Sequence, residues 1–368
     1  MARNFAAWVV AAALAGLIFS GRPPALGLAA EVPAKDAQAL IQEGHWKRAR
    51  AILEPEFKAH LQDPRLFYLL AQLKMAFQDF DGALPLAQHA VEMDANNSDF
   101  HLKLGQVYGE LAARASVFSA GSLAVKFRKE VETAINLNPR NLEALDSMMQ
   151  FKFQAPGLMG GDKNEARALA EKITLLNPSE GYLAKAELAG LEKNPAEVEA
   201  CLLKAVEANP QSYAARIELG RFYSQSPHAK YDEGAKQARY AIKIGPEQVG
   251  GYWILARVAA LQEQWSDVEQ TLAASEKDVP DDLRPYFEAA ESSLETGKDI
   301  SRAEAFARKY LSQEPEGGEP DLAEAHRLLG LLLDKEGRNS EARGEMQTAL
   351  RLRPNFKAAK DDLKKIGN

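Results

Sequence analysis

The chain has 368 residues, 46% hydrophobic and 26% charged, which is enough apolar material for a long core and too much for a compositionally disordered chain. Its formal net charge of −7 argues against nonspecific nucleic-acid binding, which depends on phosphate neutralisation by Lys and Arg. A single cysteine, Cys201, excludes an intrachain disulfide and a multi-cysteine metal centre; set among Ala200, Leu202, Leu203 and Ala205, it reads as a small core residue.

Residues 1–30 read as an export signal. Arg3 supplies the positive start, Phe5 to Phe19 is uncharged and apolar, and Ala29-Ala30 precedes the polar stretch Glu31 to Lys35. Cleavage after Ala30 would remove two arginines and no acid, taking the net charge to −9. The apolar run falls short of the roughly 20 residues of a full span; if retained, it would be an N-terminal anchor. Either way the rest of the chain is expected outside the cytoplasm, most simply in a bacterial periplasm. No cysteine lies near the cut, which disfavours a lipoprotein.

Beyond this segment, Pro139, Pro178, Pro210, Pro246, Pro280, Pro315 and Pro354 recur at intervals of 39, 32, 36, 34, 35 and 39 residues. Each follows an apolar run with helical spacing that a proline must end. Spacings of this size mark arrays of helix pairs. The first unit, 35–64, carries Gly44, Trp46 and Ala49 and is expected to be irregular, with Pro55 interrupting its second helix. The next holds Phe67, Leu70, Ala71, Ala83, Ala87, Ala90 and Ala95, punctuated by Asn96-Asn97.

Two units then carry insertions between helix A and helix B. The first has ten surplus residues within Ala113 to Lys126, so both helices are expected to run on and meet at Ser119 to Ser122, with Val117, Phe118, Leu123 and Val125 projecting. The second has five surplus residues in Phe153 to Asp162, where Pro156, Gly157, Gly160 and Gly161 predict a shaped loop and Asp162 or Asn164 a helix cap. Leu158 and Met159 are expected to pack against Phe118 or Leu123. This elaborated edge (Val117, Phe118, Leu123, Pro156, Leu158, Met159, Gly160, Gly161) is either a self-packing elaboration or a docking edge for a partner or lipid surface.

Regular units follow, with Leu219, Gly220, Tyr223 and Ala241, then Tyr252, Leu255, Ala256, Val268 and Ser275. In the last, His326, Leu329, Gly330, Leu333, Gly337, Ala342, Met346, Ala349 and Pro354 fall at offsets 4, 7, 8, 11, 15, 20, 24, 27 and 32. This pattern closely resembles the tetratricopeptide repeat. The resemblance implies an all-α fold, an α-α superhelix or solenoid of about nine helix pairs. Small residues at offsets 8, 20 and 27 sit where paired helices touch. The expected layout is 1–30 signal, 31–354 solenoid (31–95 N-terminal repeats, 96–178 elaborated repeats, 179–354 regular repeats) and 355–368 a capping helix, with Asn355 as its cap. Over about residues 100–180 the string APGLMGG also resembles an exported bacterial group of these repeats.

No chemistry-bearing constellation stands out, so no enzyme, metal site or cofactor is expected. The six histidines form no i, i+4 pair, there is no HExxH or GxSxG, and Gly160-Gly161-Asp162-Lys163 lacks the rest of a phosphate loop. Asp281-Asp282 and Asp361-Asp362 read as cap or surface charge. The resemblance instead implies a binding wall on helix A at offsets 2, 5, 9 and 12, giving Tyr68, Gln72, Gln106, Met149, Lys152, Arg221, Trp253, Arg257, Glu291 and Arg327. Trp253 with Arg257 is the expected hot spot, and Arg221 with Arg257 a basic stripe favouring an extended or acidic peptide. The Lys and Asn set of the family's carboxylate clamp is missing, which disfavours chaperone tails. The expected partner is a protein or peptide and not nucleic acid; membrane association would run through the N-terminal segment or the 117–125 hairpin.

Overall fold

A computed structural model describes residues 31–60, 62–225, 229–318 and 320–366. The expected export signal, residues 1–30, lies outside the described residues, as do His228 and the side chain of Val117. Among the described residues every regular element is helical. The chain divides into two compact units, residues 1–215 and 216–368.

The first unit pairs α1 (Glu31–Glu43) with α2 (Trp46–Ala59), α3 (Pro64–Ala76) with α4 (Phe80–Met93), α5 (Ser98–Arg114) with α6 (Val117–Leu137), α7 (Leu142–Gln154) with α8 (Lys163–Leu176), and α9 (Pro178–Leu191) with α10 (Pro195–Ala208). The division falls within α11 (Tyr213–Ser224). The second unit continues with α12 (Tyr231–Ile244), α13 (Gly250–Leu261) and α14 (Trp265–Asp278), α15 (Arg284–Thr296) and α16 (Ile300–Tyr310), α17 (Leu322–Lys335) and α18 (Asn339–Leu352), and ends in α19 (Lys357–Leu363). Nine helix pairs and a terminal helix, counted among the described residues, match the expected solenoid.

Odd-numbered A helices pack on the next A helix: α1 on α3, α3 on α5, α5 on α7, α7 on α9, and in the second unit α13 on α15 and α15 on α17. Within each unit they therefore form one layer whose outward positions make a wall. The helices begin where the sequence offers caps. Asp63, Asn97, Asn141, Asp162, Asn177, Asn194 and Asp321 each accept a hydrogen bond from a backbone N–H of the first turn. Regular A–B turns require one left-handed residue, which is Gly44, Gln78, Lys193, Glu263 or Gly337 at the same place in each repeat. Small residues meet the partner helix as expected. Ala71, Ala83, Ala87, Ala90, Ala342 and Ala349 are fully buried, and a Cβ on Gly330 would lie 3.1 Å from Met346 Cε and 3.2 Å from the Ala342 carbonyl oxygen.

Several local expectations need correction. Pro55 does not interrupt α2, which runs unbroken from Trp46 to Ala59, and Pro85 sits likewise inside α4. The long hairpin turns at Ala115–Ser116 instead of Ser119–Ser122, so α6, at 21 residues, takes up most of the insertion. Ala120 is then buried, Phe127 packs near Gly109 and on Phe151, and Leu123 is partly buried in the core. Phe118 and Val125 do project, 98% and 51% exposed. The glycine loop does meet α6, but through Met159, whose methyl lies 3.8 Å from a Cβ built on Gly121. Leu158 packs on nothing and is fully exposed.

The loop closes on itself. Gly161 N–H and Met159 N–H donate to the Pro156 carbonyl, Gly160 N–H to Gly157, and Asp162 N–H to Lys152 at 2.7 Å. Gly160 is left-handed at φ +97°, while Gly161 is required for a different reason: a Cβ there would lie 1.7 Å from the Ala155 carbonyl oxygen. Asp162, not Asn164, caps α8. At the chain's end Phe356 occupies the cap position of α19 in place of the expected Asn355, with no side-chain cap bond. Lys357, Lys360, Lys364 and Lys365 are exposed while Ala359 and Ile366 are buried, which gives the outer helix its polar face.

Candidate functional site

In the first unit the A-helix wall is polar and acidic. Tyr68 of α3 stacks on Phe100, with ring centroids 5.2 Å apart, and its hydroxyl bonds Gln72. Burial, with the charges of Asp99 and Glu143, holds the Tyr68 phenol well above its usual pKa. Gln106 bridges repeats: its carbonyl accepts from Lys103 at 2.6 Å and its amide donates to Glu143 at 2.7 Å. The Asn141 amide ties α7 to α5 through Ser98 Oγ at 2.8 Å and Asp99 Oδ1 at 2.9 Å.

Further along the same wall stand Asp146 and Gln150 of α7 and Glu180 and Glu187 of α9. Gln150 is 2% exposed, and its Nε2 donates to Asp146 Oδ2 at 2.9 Å and Glu187 Oε2 at 3.1 Å. Burial raises the Asp146 carboxyl to about 7, a hydrogen bond from Gln150 works against the rise, and the charge of Glu143 adds to it. Burial and the charge of Asp146 raise Glu180 to about 7 as well. Among the described residues neither carboxylate has a Lys or Arg ion-pair partner.

Sequence reasoning places Met149 and Lys152 on this wall, and both assignments fail. Met149 is fully buried in the core, and Lys152 turns to Glu165 of α8 at 2.8 Å. Counting α7 from its cap Asn141, as α5 is counted from Asn97, moves Met149 to the core offset 8 and puts Glu143, Asp146 and Gln150 at the wall offsets 2, 5 and 9. Asp99, at wall offset 2, and Glu180 and Glu187, which meet Asp146 and Gln150 from α9, are further wall residues that the sequence reading did not single out.

In the second unit the wall carries arginines that are occupied. The Arg257 side chain is only 12% exposed; it lies 2.8 Å from Glu295 and 3.6 Å from both Glu288 and Glu291 of α15. Burial disfavours its charge, yet the hydrogen bond it donates to Glu295 and the three carboxylates leave its pKa raised. Glu288 is still pushed up to about 7, chiefly by burial and then by Glu291, with Arg257 pulling the other way. Arg221 is exposed and paired with Glu218 on its own helix. Trp253 is half-buried against Val249, Tyr252 and Val279. The expected basic stripe is therefore neutralised within the repeats, and its preference for an acidic ligand is withdrawn.

Toward the C-terminus Glu291, Leu294, Glu324, Arg327, Leu331 and Phe356 line a cavity of about 280 Å³, floored by Phe287 and Leu328. Arg327 is held by Asp362 at 2.7 Å, and Arg353 reaches Asp321 and Glu324. Asp362 and Asp282, expected as solvated charge, are thus engaged, Asp282 buried beside Arg284. Cys201 is buried as expected, its thiol raised to about 11 by burial and by Glu197.

Residues 35–99 match the tetratricopeptide repeat family model, over the stretch whose first pair was expected to be irregular. The structure is similar to that of yeast Tom70, with a TM-score of 0.50 and 13% identity over 92% of this chain and 88% of that one. A tetratricopeptide protein of Thermus thermophilus gives 0.47 and 20% over 54% of this chain and all of the other, and the Cut9–Hcn1 hetero-tetramer 0.45 and 14% over 92% and 77%. No curated protein matches. Residues 35–99 thus match the tetratricopeptide repeat, and the described helices have the α-α solenoid fold.

Proposed function

We propose that this chain is a noncatalytic periplasmic scaffold that holds a protein or peptide partner along its A-helix walls. The supporting observation is the character of those walls. Ordered polar side chains bridge successive repeats in the first unit, and in the second a cavity of about 280 Å³ offers an apolar floor with a charged rim. Repeats assembled in this way recognise through a surface no single repeat possesses. The export segment read from the sequence supports the location.

Photocrosslinking residues placed singly at Gln72, Gln106, Arg221 and Leu331 test the reading against Glu207, Glu233 and Arg351 on B helices. Adducts confined to the A-helix positions support it; adducts confined to the B-helix positions contradict it. N-terminal sequencing of the protein from a periplasmic fraction should begin at Glu31, and recovery from the cytoplasm with Met1 retained would contradict the location.

A second reading, a membrane-docked assembly factor, is favoured by the elaborated edge, where Phe118 is 98% and Leu158 102% exposed. No described helix is long and apolar enough to cross a membrane. Cosedimentation with anionic vesicles, lost in Phe118→Ser with Leu158→Ser, separates this reading from the first.

A further inference from the structure

The acidic wall of the first unit contains one buried group whose hydrogen-bonding capacity is not used. Gln150 spends its amide N–H groups on Asp146 and Glu187, and this fixes which way the amide points, since the reverse orientation would set its oxygen against two carboxylates. Its Oε1 is then buried with no donor. A buried acceptor without a donor costs about 1–3 kcal/mol, and native structures rarely leave one without cause. The oxygen belongs to the same amide that joins Asp146 to Glu187, with Glu180 close enough for its pKa to feel the charge of Asp146. The arrangement lacks one chemical entity, a compact cation that donates hydrogen bonds.

The cations nearby are committed elsewhere. Lys103 of α5 bonds Gln106 and sits under Asp99 and Glu143. Lys152 of α7 and Lys185 of α9 are held by Glu165 and Glu171 of α8 at 2.8 and 2.9 Å. From the elements behind the wall, α6 turns Glu130 to His101 and α10 turns Glu197 to Cys201. Tyr68 of α3 adds a neutral hydroxyl. The charged groups that act on the pair are acids: Glu143 on Asp146, and Asp146 on Glu180.

We infer that Asp146, Gln150 and Glu180 form a receptor for a lysine or arginine side chain of a basic peptide segment. This rests on the scaffold reading and specifies its ligand, reversing the acidic preference the sequence suggested. Complementary charge on an extended wall steers such a segment and fixes its register. Because a cation binds the ionised carboxylates, affinity should rise with pH through the range near 7 where Asp146 and Glu180 lose their protons and level off above it.

The test is titration of the full chain with end-blocked, fluorescein-labelled hexalysine, and with hexaglutamate as the opposite probe, at pH 5.5 and pH 8. The expected results are binding of hexalysine only, about tenfold tighter at pH 8, and a loss of about tenfold or more in Asp146→Asn with Glu180→Gln. Glu207→Gln with Glu233→Gln, on exposed B-helix carboxylates, should change little. Gln150→Lys is the second variant: it places an ammonium inside the receptor, so it should raise the melting temperature at pH 8 and abolish hexalysine binding. Equal affinity in wild type and the Asp146/Glu180 variant, equal loss in the B-helix control, or no dependence on pH would each overturn the inference. Crosslinks confined to A-helix positions with these results would leave the scaffold reading standing and remove only this receptor.

Discussion

Along α7 and α9 the first unit gathers carboxylates around a buried amide; along α13 and α15 the second unit gathers carboxylates around a largely buried arginine. Both walls are built from the same helix hairpin and the same outward offsets. What differs is whether the next repeat supplies a counter-charge. Arg257 reaches across to α15 and satisfies its glutamates internally, so that face is closed to a charged ligand. Gln150 reaches across to α9 in the corresponding way but brings no charge, so the burden on Asp146 and Glu180 is met by protons and their pKa values move to about 7. A repeat array thus sets its ligand preference by cross-repeat pairing more than by the count of charges on any helix.

Breaking the closed wall should have the largest effect. Arg257→Ala leaves Glu288, Glu291 and Glu295 facing one another, with an expected loss of about 3 kcal/mol in urea denaturation; adding Glu288→Gln should restore part of it, and a loss below about 0.5 kcal/mol would mean the arginine is incidental.

Packing should be indifferent to the contrast between walls. Gly330→Leu drives a side chain into Met346 and the Ala342 carbonyl and is expected to cost about 2 kcal/mol. Gly344→Leu, with nothing within 4 Å, should not. Similar melting of the two variants would count against the repeat register.

On the open wall the sign is reversed. Asp146 and Glu180 have folded pKa values raised above their unfolded ones, so their contribution to stability is fully present below about pH 4, is lost as pH rises through about 7, and is flat beyond. Asp146→Asn with Glu180→Gln should therefore stabilise at pH 8 and change almost nothing at pH 4, seen as a melting difference that grows with pH. A difference independent of pH would show that the carboxyls titrate normally.

The smallest effect lies in the turns. Gly337→Ala, at a φ of +75°, should cost about 1 kcal/mol, whereas Lys193→Gly, at the equivalent left-handed position of the first unit, should change stability by a few tenths at most and without loss.

The fold was legible because its determinants are local. Prolines two residues past the ends of α6, α10, α12, α14 and α18, Asn and Asp caps, and alanines at the close contacts recur with the repeat and need no knowledge of the partner helix. The wall was less legible, for two physical reasons. Starting α7 at Arg140 instead of at its cap Asn141 slips the helix by one position, which exchanges the buried Met149 for Gln150; the cap carries the correct register. Arg257 could not be read as occupied, because its partners lie more than thirty residues away on the next A helix and become neighbours only when the repeats stack. The hairpin turn at Ala115–Ser116 escapes the sequence for a similar reason: the serine-rich stretch Ser119 to Ser122 reads as a loop, although burial of Ala120 and Phe127 keeps it helical.

The contrast between the walls is tested most directly by a carbon-13 NMR titration of the side-chain carboxyls of Asp146 and Glu180, without ligand and again with saturating hexalysine. Midpoints near 7 without ligand, displaced well downward when the peptide is bound, are expected of carboxylates buried without a cation. Midpoints in the ordinary carboxylate range, about 4, unmoved by the peptide, would contradict the account.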